Sequence, residues 1–163
     1  MPRHVAEIVF TPDDTTRVVA EMDRLGVAHD GWINLLPGVP DDDVEGPGKP
    51  SAFASLFGGT QSPLTMVTWL PARPGRSGPG EATVGIMHPR GKRAVLQLAE
   101  MGIPVPEGWR VRQDHNRRGL IVLAPAGFPH DRLLAWVLRA GASLATTELT
   151  GSWQARVFEP KLG

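Results

Sequence analysis

Residues 108–141 read GWRVRQDHNRRGLIVLAPAGFPHDRLLAWVLRAG and combine the pattern of a β-hairpin with that of an amphipathic helix. Two strand-forming runs, Trp109 to Asp114 and Leu120 to Leu123, flank Asn116-Arg117-Arg118-Gly119, which is typical of a tight turn. Beyond a turn that contains proline and glycine, apolar residues follow the spacing of one helical face, at Leu133, Leu134, Val137 and Leu138. The stretch therefore predicts a hairpin and a helix that share one core.

The same order of elements occurs three times along the chain. Each unit has an apolar strand, a turn with proline, a helix that ends near glycine, and a tryptophan that opens the next strand. The units run from Ala6 to about Leu36, from Thr83 to Asp114 and from Leu120 to Phe158. Such units predict an α+β fold, with a mixed, mostly antiparallel sheet and helices packed on one face, as in ferredoxin-like or related folds built from βαβ-like units.

The ends of the helices are predicted from local chemistry. Thr11 is expected to cap the first helix, with Pro12 at its first helical position. Gly26, Gly102 and Gly141 are expected to end the three helices, because glycine adopts the left-handed backbone of a helix end at low cost.

We expect one domain over residues 1–163, with irregular loops at about 37–50 and 71–80. The first loop carries Asp41-Asp42-Asp43 and precedes a predicted short helix, Ser51 to Gly59. A strand is predicted from Leu64 to Leu70. The second loop, Pro71 to Gly80, is basic and rich in proline and glycine, which favours disorder.

Composition excludes several classes of protein. The chain has no cysteine, and its 17 basic and 17 acidic residues balance, so neither a thiolate metal site nor nucleic-acid binding is expected. It lacks a signal-peptide pattern and a long apolar run, which predicts a soluble, cytoplasmic protein without membrane contact. Residues 1–45 hold ten acidic and three basic side chains, whereas residues 73–118 hold nine basic and four acidic ones. These stretches could pair within one chain or between subunits.

The densest polar cluster is the predicted hairpin turn from Gln113 to Gly119. Asp114 could orient the imidazole of His115, and Arg117 and Arg118 could bind a carboxylate or phosphate together with Gln113. Adjacent strand residues face opposite ways, so this pair forms only if the turn bends the two side chains together. The alternative is a solvated turn in which the polar side chains bond their own backbone.

A second cluster, His88-Pro89-Arg90-Gly91-Lys92-Arg93, lies where a strand enters a helix. Free backbone amides at such a position favour an anion, with Arg90 and Lys92 as further ligands and His88 as acid or base. The alternative is that these basic residues are ordinary solvent-exposed side chains that bind no ligand. We predict no metal site and no cofactor, because the histidines at positions 4, 29, 88, 115 and 130 are dispersed. The tryptophans at positions 32, 69, 109, 136 and 153 are predicted to anchor the core.

From His88 through Phe158 the chain resembles a family of actinobacterial proteins of unknown function. The shared phrases are Leu98-x-x-Met101-Gly102-x-Pro104-Val105-Pro106-x-Gly108-Trp109, Gln113-Asp114-His115-x-x-Arg118-Gly119-Leu120, Leu134-x-Trp136 and Leu149-Thr150-Gly151-x-Trp153. The resemblance covers somewhat less than half of the chain and implies no catalytic role.

The sequence favours a non-catalytic binding or protein-interaction domain that could self-associate as a homodimer. The alternative is a small enzyme that acts on an anionic substrate, a phosphate or a carboxylate, with His88 or His115 as general base and Asp114 as its partner. The enzyme requires these side chains to converge on one pocket. A binding domain requires an exposed apolar patch or an open sheet edge.

Overall fold

The computed structural model describes residues 2–40 and 63–160, which form an α+β fold with one seven-stranded sheet and three helices. The strands are β1 (Pro2–Phe10), β2 (Trp32–Pro37), β3 (Met66–Leu70), β4 (Glu81–Met87), β5 (Arg110–His115), β6 (Gly119–Pro125) and β7 (Trp153–Pro160). The helices are α1 (Thr16–Ala28), α2 (Ala94–Glu100) and α3 (His130–Leu144). The expected α+β class and the three strand–helix–strand units are confirmed, whereas the sheet, predicted as mixed and mostly antiparallel, is antiparallel throughout the described residues.

The strand order is β1-β7-β2-β3-β4-β6-β5, and every neighbouring pair is antiparallel. Strands β1 and β2 are therefore parallel to each other with β7 between them, and β4 and β5 are parallel with β6 between them. Each pair is joined by a helix, which is the split βαβ arrangement. The sheet extends beyond the four strands of a single βαββαβ unit.

Helix α3 contacts both α1 and α2, which places the three helices side by side on one face of the sheet. Strand β4 shows the pattern that this arrangement requires. Its residues alternate between buried and less buried positions, with Ala82, Val84 and Ile86 facing the helices. Helix α1 meets this face with Val18, Met22 and Leu25, whose spacing defines one helical side.

Two of the three predicted helix ends are wrong. Helix α1 continues past Gly26 to Ala28, and its C-cap residue His29 takes the left-handed conformation with φ 56°. Helix α3 continues through Gly141 to Leu144, because Gly141 lies inside the helix against the sheet, where a Cβ atom would be 3.0 Å from the Trp153 ring. Only the helix that precedes Gly102 ends where expected.

The first helix also begins later than predicted. Thr11 accepts a backbone hydrogen bond from Asp14 at 3.0 Å, which forms a turn after β1. The helix then begins at Thr16 with Thr15 in the N-cap position. Pro12 therefore lies in the turn between β1 and α1, and Thr11 closes this turn with its carbonyl oxygen and does not cap the helix.

The predicted disorder of residues 71–80 stays a prediction, and the segment contains a hydrogen-bonded turn. Gly75 and Gly78 exchange backbone hydrogen bonds of 2.8 and 3.2 Å, which closes a tight turn between β3 and β4. Arg73 in the same segment forms an ion pair of 2.7 Å with Asp30, which links the acidic and basic stretches of the sequence. The predicted acidic loop beyond Pro40 and the helix at Ser51 to Gly59 lie outside the described residues.

The tryptophans confirm the prediction of core anchors at four of five positions. Trp69, Trp109, Trp136 and Trp153 are buried. Trp32 is only half-buried, and its ring stacks on Phe158 at a centroid distance of 5.2 Å.

The two edge strands carry features that oppose pairing with another sheet. Strand β1 has a register shift between His4 and Ala6, and β5 has one between Val111 and Gln113. Bulges of this kind twist an edge away from a flat neighbouring strand. Self-association by edge pairing therefore stays a prediction without structural support.

Candidate functional site

The sequence-predicted residues lie around the start of α2 and the hairpin between β5 and β6. Asp114 does not pair with His115. Its carboxylate accepts backbone hydrogen bonds from Ala94 at 3.0 Å and Val95 at 3.1 Å, so it caps α2 from a neighbouring strand. The backbone amides proposed to hold an anion are thus already partnered by this carboxylate.

The side chain of His115 stabilises its own turn. Its Nδ1 atom accepts hydrogen bonds from the backbone N–H groups of Arg117 at 3.0 Å and Arg118 at 3.1 Å. Gln113 donates to the carbonyl oxygens of Arg118 and Gly119 at 3.1 and 3.3 Å. This geometry supports the alternative in which the turn bonds its own backbone.

The basic residues divide into one with structural contacts and three that face solvent. The Arg90 guanidinium donates to the carbonyl oxygens of Ser143 and Ala145, each at 3.3 Å, and so caps the C-terminal end of α3. Lys92, Arg117 and Arg118 are exposed. The proposed anion ligands therefore do not share one cavity lined by buried groups.

His88 lies close enough to Asp114 for the carboxylate charge to influence its imidazole. Both ring nitrogens of His88, however, are directed toward other protein atoms and not toward solvent. Its Nδ1 accepts a hydrogen bond from the backbone N–H of Arg90 at 3.2 Å, and its Nε2 is buried without a partner among the described residues. Burial lowers the pKa of His88 below the usual range of imidazole, and the Asp114 carboxylate offsets part of this effect.

Acidification is expected to destabilise the protein through His88. Between about pH 6.5 and the lowered pKa of the folded chain, the unfolded chain binds this proton more readily than the folded chain does. The free energy of unfolding therefore decreases as the pH decreases, by at most about 1.4 kcal/mol per pH unit. Urea denaturation between pH 7.5 and 5.5 measures this slope. His88→Asn keeps an acceptor for Arg90 and should show a smaller slope; equal slopes would contradict the prediction.

A cavity of about 520 Å³ lies at another place in the fold, where the C-terminal half of α1 faces the start of α3. The β3–β4 loop and the turn between β6 and α3 complete its wall. The lining is mainly apolar and includes Phe128, three alanines and five prolines, at positions 71, 74, 79, 125 and 129. Phe128 meets the buried ring of Trp109 edge-on at 5.2 Å, which joins this wall to the core.

Two histidines provide polar groups in this cavity. His130, the first residue of α3, places Nδ1 2.6 Å from the Oδ1 atom of Asp23 on α1. His29, which ends α1, places Nδ1 3.0 Å from the carbonyl oxygen of Ala72. All four residues line the cavity.

Two contacts orient the ring of His130, and a glycine gives it room. Asp23 holds Nδ1, the Trp69 ring meets the imidazole edge-on at 5.4 Å, and Gly26 leaves space beside it. A Cβ atom at Gly26 would be 3.2 Å from Cε1 of His130, so glycine permits this close approach. The solvent-accessible fraction of the His130 side chain is 24%, so part of the ring remains accessible.

Sequence patterns miss this site for a physical reason. Asp23 and His130 are 107 positions apart, and only the packing of α1 against α3 brings them together. The one local signal is the density of proline and glycine at the segments that form the wall, including Pro125 to Pro129. That signal predicts turns, but not that two turns face the same cavity.

No group of three or more metal-binding side chains is found in residues 2–40 and 63–160. Over the same ranges, no helix is both long and apolar enough to cross a lipid bilayer. The chain matches no protein-family model, and no curated protein or solved structure shows significant similarity to it. The resemblance to actinobacterial proteins stays a prediction, and function has to be inferred from the site.

Proposed function

We propose that this chain is a binding domain for a small, mainly apolar molecule, and that the ligand occupies the cavity between α1 and α3. The observation that carries this proposal is the Asp23–His130 pair in a cavity of about 520 Å³. Ligand pockets are commonly 300–1,000 Å³ in volume and combine apolar walls with a few well-placed polar groups.

Rigidity of the wall supports the same proposal. Five prolines restrict the backbone around the cavity, and Phe128 packs on the buried Trp109. A preformed cavity does not need to be ordered by its ligand, so less of the binding free energy is lost. By contrast, the side chains of His88, Asp114 and His115 bond to backbone groups of their own turns and of α2.

Indole, a flat apolar bicycle, is a suitable first probe. We expect saturable binding with amide NMR shift changes concentrated at the cavity, for example at Gly127 and Phe128. Ala126→Trp should abolish these changes by filling the cavity, because Ala126 lies in its wall. Ala142→Trp, at an exposed position of α3, is the matched control and should bind indole as the natural chain does.

Two results would contradict the proposed function. One is a titration in which indole causes no saturable change. The other is binding that survives Ala126→Trp in a variant whose amide spectrum shows that it is folded. Either result would remove the cavity as the binding site.

Acid–base catalysis is the second candidate, and the 2.6 Å contact between Asp23 and His130 favours it. A carboxylate at Nδ1 orients an imidazole so that Nε2 can take a proton from a bound substrate. An anionic substrate has less support, because the cavity-lining residues include neither arginine nor lysine. In the titration, ligand that is recovered chemically unchanged supports binding alone, whereas resonances of a product that His130→Phe abolishes support catalysis.

A further inference from the structure

The hydrogen bond at Nδ1 determines where each cavity histidine carries its proton. His29 faces the carbonyl oxygen of Ala72, which can only accept, so Nδ1 of His29 must donate. His130 faces the carboxylate of Asp23, which when ionised also only accepts. In a neutral imidazole a proton on Nδ1 leaves a lone pair on Nε2.

The histidines at the other cluster have the opposite arrangement. His88 accepts a hydrogen bond at Nδ1 from the backbone of Arg90, and His115 accepts two from Arg117 and Arg118. Their neutral rings therefore carry the proton on Nε2. The tautomer thus separates the two cavity histidines from these two structural ones.

We infer that the cavity selects ligands that carry a hydrogen-bond donor, such as a ring N–H or a hydroxyl, and that Nε2 of His130 accepts this bond. His130 is favoured over His29 because Asp23 and Trp69 both contact its ring and hold it in one orientation. The apolar walls take the rest of the ligand. This inference rests on the proposed function and adds the chemical class of the ligand.

The tautomers are tested first, without any ligand. Nitrogen-15 NMR of the imidazole rings at pH 8, above the range in which free imidazole is protonated, distinguishes a protonated from an unprotonated ring nitrogen. We expect Nδ1–H for His29 and His130, and Nε2–H for His88 and His115. An Nε2–H form of His130 would overturn the inference.

Selectivity is tested with indole and 1-benzofuran, which have the same shape but differ in one atom. Indole has an N–H donor where 1-benzofuran has an oxygen. One additional hydrogen bond should make the dissociation constant of indole about tenfold lower than that of 1-benzofuran. His130→Phe keeps a flat ring and should remove this preference, whereas His4→Phe, at an exposed position on β1, should leave it unchanged.

Asp23 is a positioning residue under this inference, and two substitutions separate its role from a general effect on stability. Asp23→Ala frees Nδ1 of His130, so the ring can rotate or move its proton to Nε2, and the preference for indole should be lost. Asp23→Asn can still accept from Nδ1–H through its amide oxygen. It should restore the Nδ1–H signal and part of the preference.

The possible outcomes separate this inference from the proposed function. Equal binding of indole and 1-benzofuran in the cavity would overturn donor selection and leave a small-molecule site. Absence of binding by both probes would overturn the proposed function and this inference with it. A preference for indole that persists in His130→Phe would also overturn the assignment of Nε2 of His130 as the acceptor.

Discussion

Replacing Gly119 with alanine is expected to lower the free energy of unfolding by about 3 kcal/mol. Gly119 begins β6 with φ 85°, a conformation that costs alanine energy. Its Cβ would also be 2.5 Å from the carbonyl oxygen of Ile86, in the neighbouring strand β4. Because the obstructing atom belongs to the backbone, β4 and β6 would have to move apart.

Gly108→Ala is the matched control for this prediction. Gly108 has nearly the same φ, 88°, but a Cβ there would meet no atom within 4 Å. Gly108→Ala should therefore lower the free energy of unfolding only by the cost of backbone strain, about 1 kcal/mol. Urea denaturation of both variants measures the difference, and equal losses would show that the contact between β4 and β6 is not the cause.

Asp114→Ala is expected to lower the free energy of unfolding by about 2 kcal/mol, because it removes the acceptor of two backbone N–H groups at the start of α2. The helix has seven residues, and Arg93 at its N-cap position forms no side-chain cap hydrogen bond. Little else therefore compensates for the loss. Urea denaturation measures the stability, and amide hydrogen exchange at Ala94 and Val95 localises the effect.

Asp114→Asn tests the same cap in a graded way. Its amide retains one acceptor oxygen, so it should cost about half as much as alanine. Asp13→Ala, at an exposed position, should be close to neutral. If Asp114→Ala were neutral and indole binding at the cavity were impaired instead, the residue would have a functional role that its contacts do not indicate.

These two predictions concern residues from the cluster that looked functional in the sequence. Asp114 and His115 combine an acid, a base and adjacent arginines, but the structure uses Asp114 to cap a helix and His115 to close a turn. Polar residues at turns often bond nearby backbone groups, since these groups otherwise lack partners. The composition of such a cluster alone does not distinguish the two uses.

Local sequence patterns are sufficient to predict those parts of the fold that depend on a few adjacent residues. The hairpin at Asn116 to Gly119 and the buried side of α3 were predicted because turn chemistry and helical spacing are properties of a few adjacent residues. The α+β class followed from three strand–helix–strand units. Helix ends were less predictable, because glycine marks both a helix end and a close approach to a sheet, as at Gly141.

The position of the candidate site depends on how distant segments of the chain pack together. Strand β7 inserts between β1 and β2, and α3 packs against α1, which brings His130 to Asp23 across 107 positions of sequence. The same packing determines which nitrogen of His130 is free, because the tautomer depends on the partner at Nδ1. Neither the contact nor the tautomer has a local sequence signal, since both arise from atoms that folding alone makes neighbours.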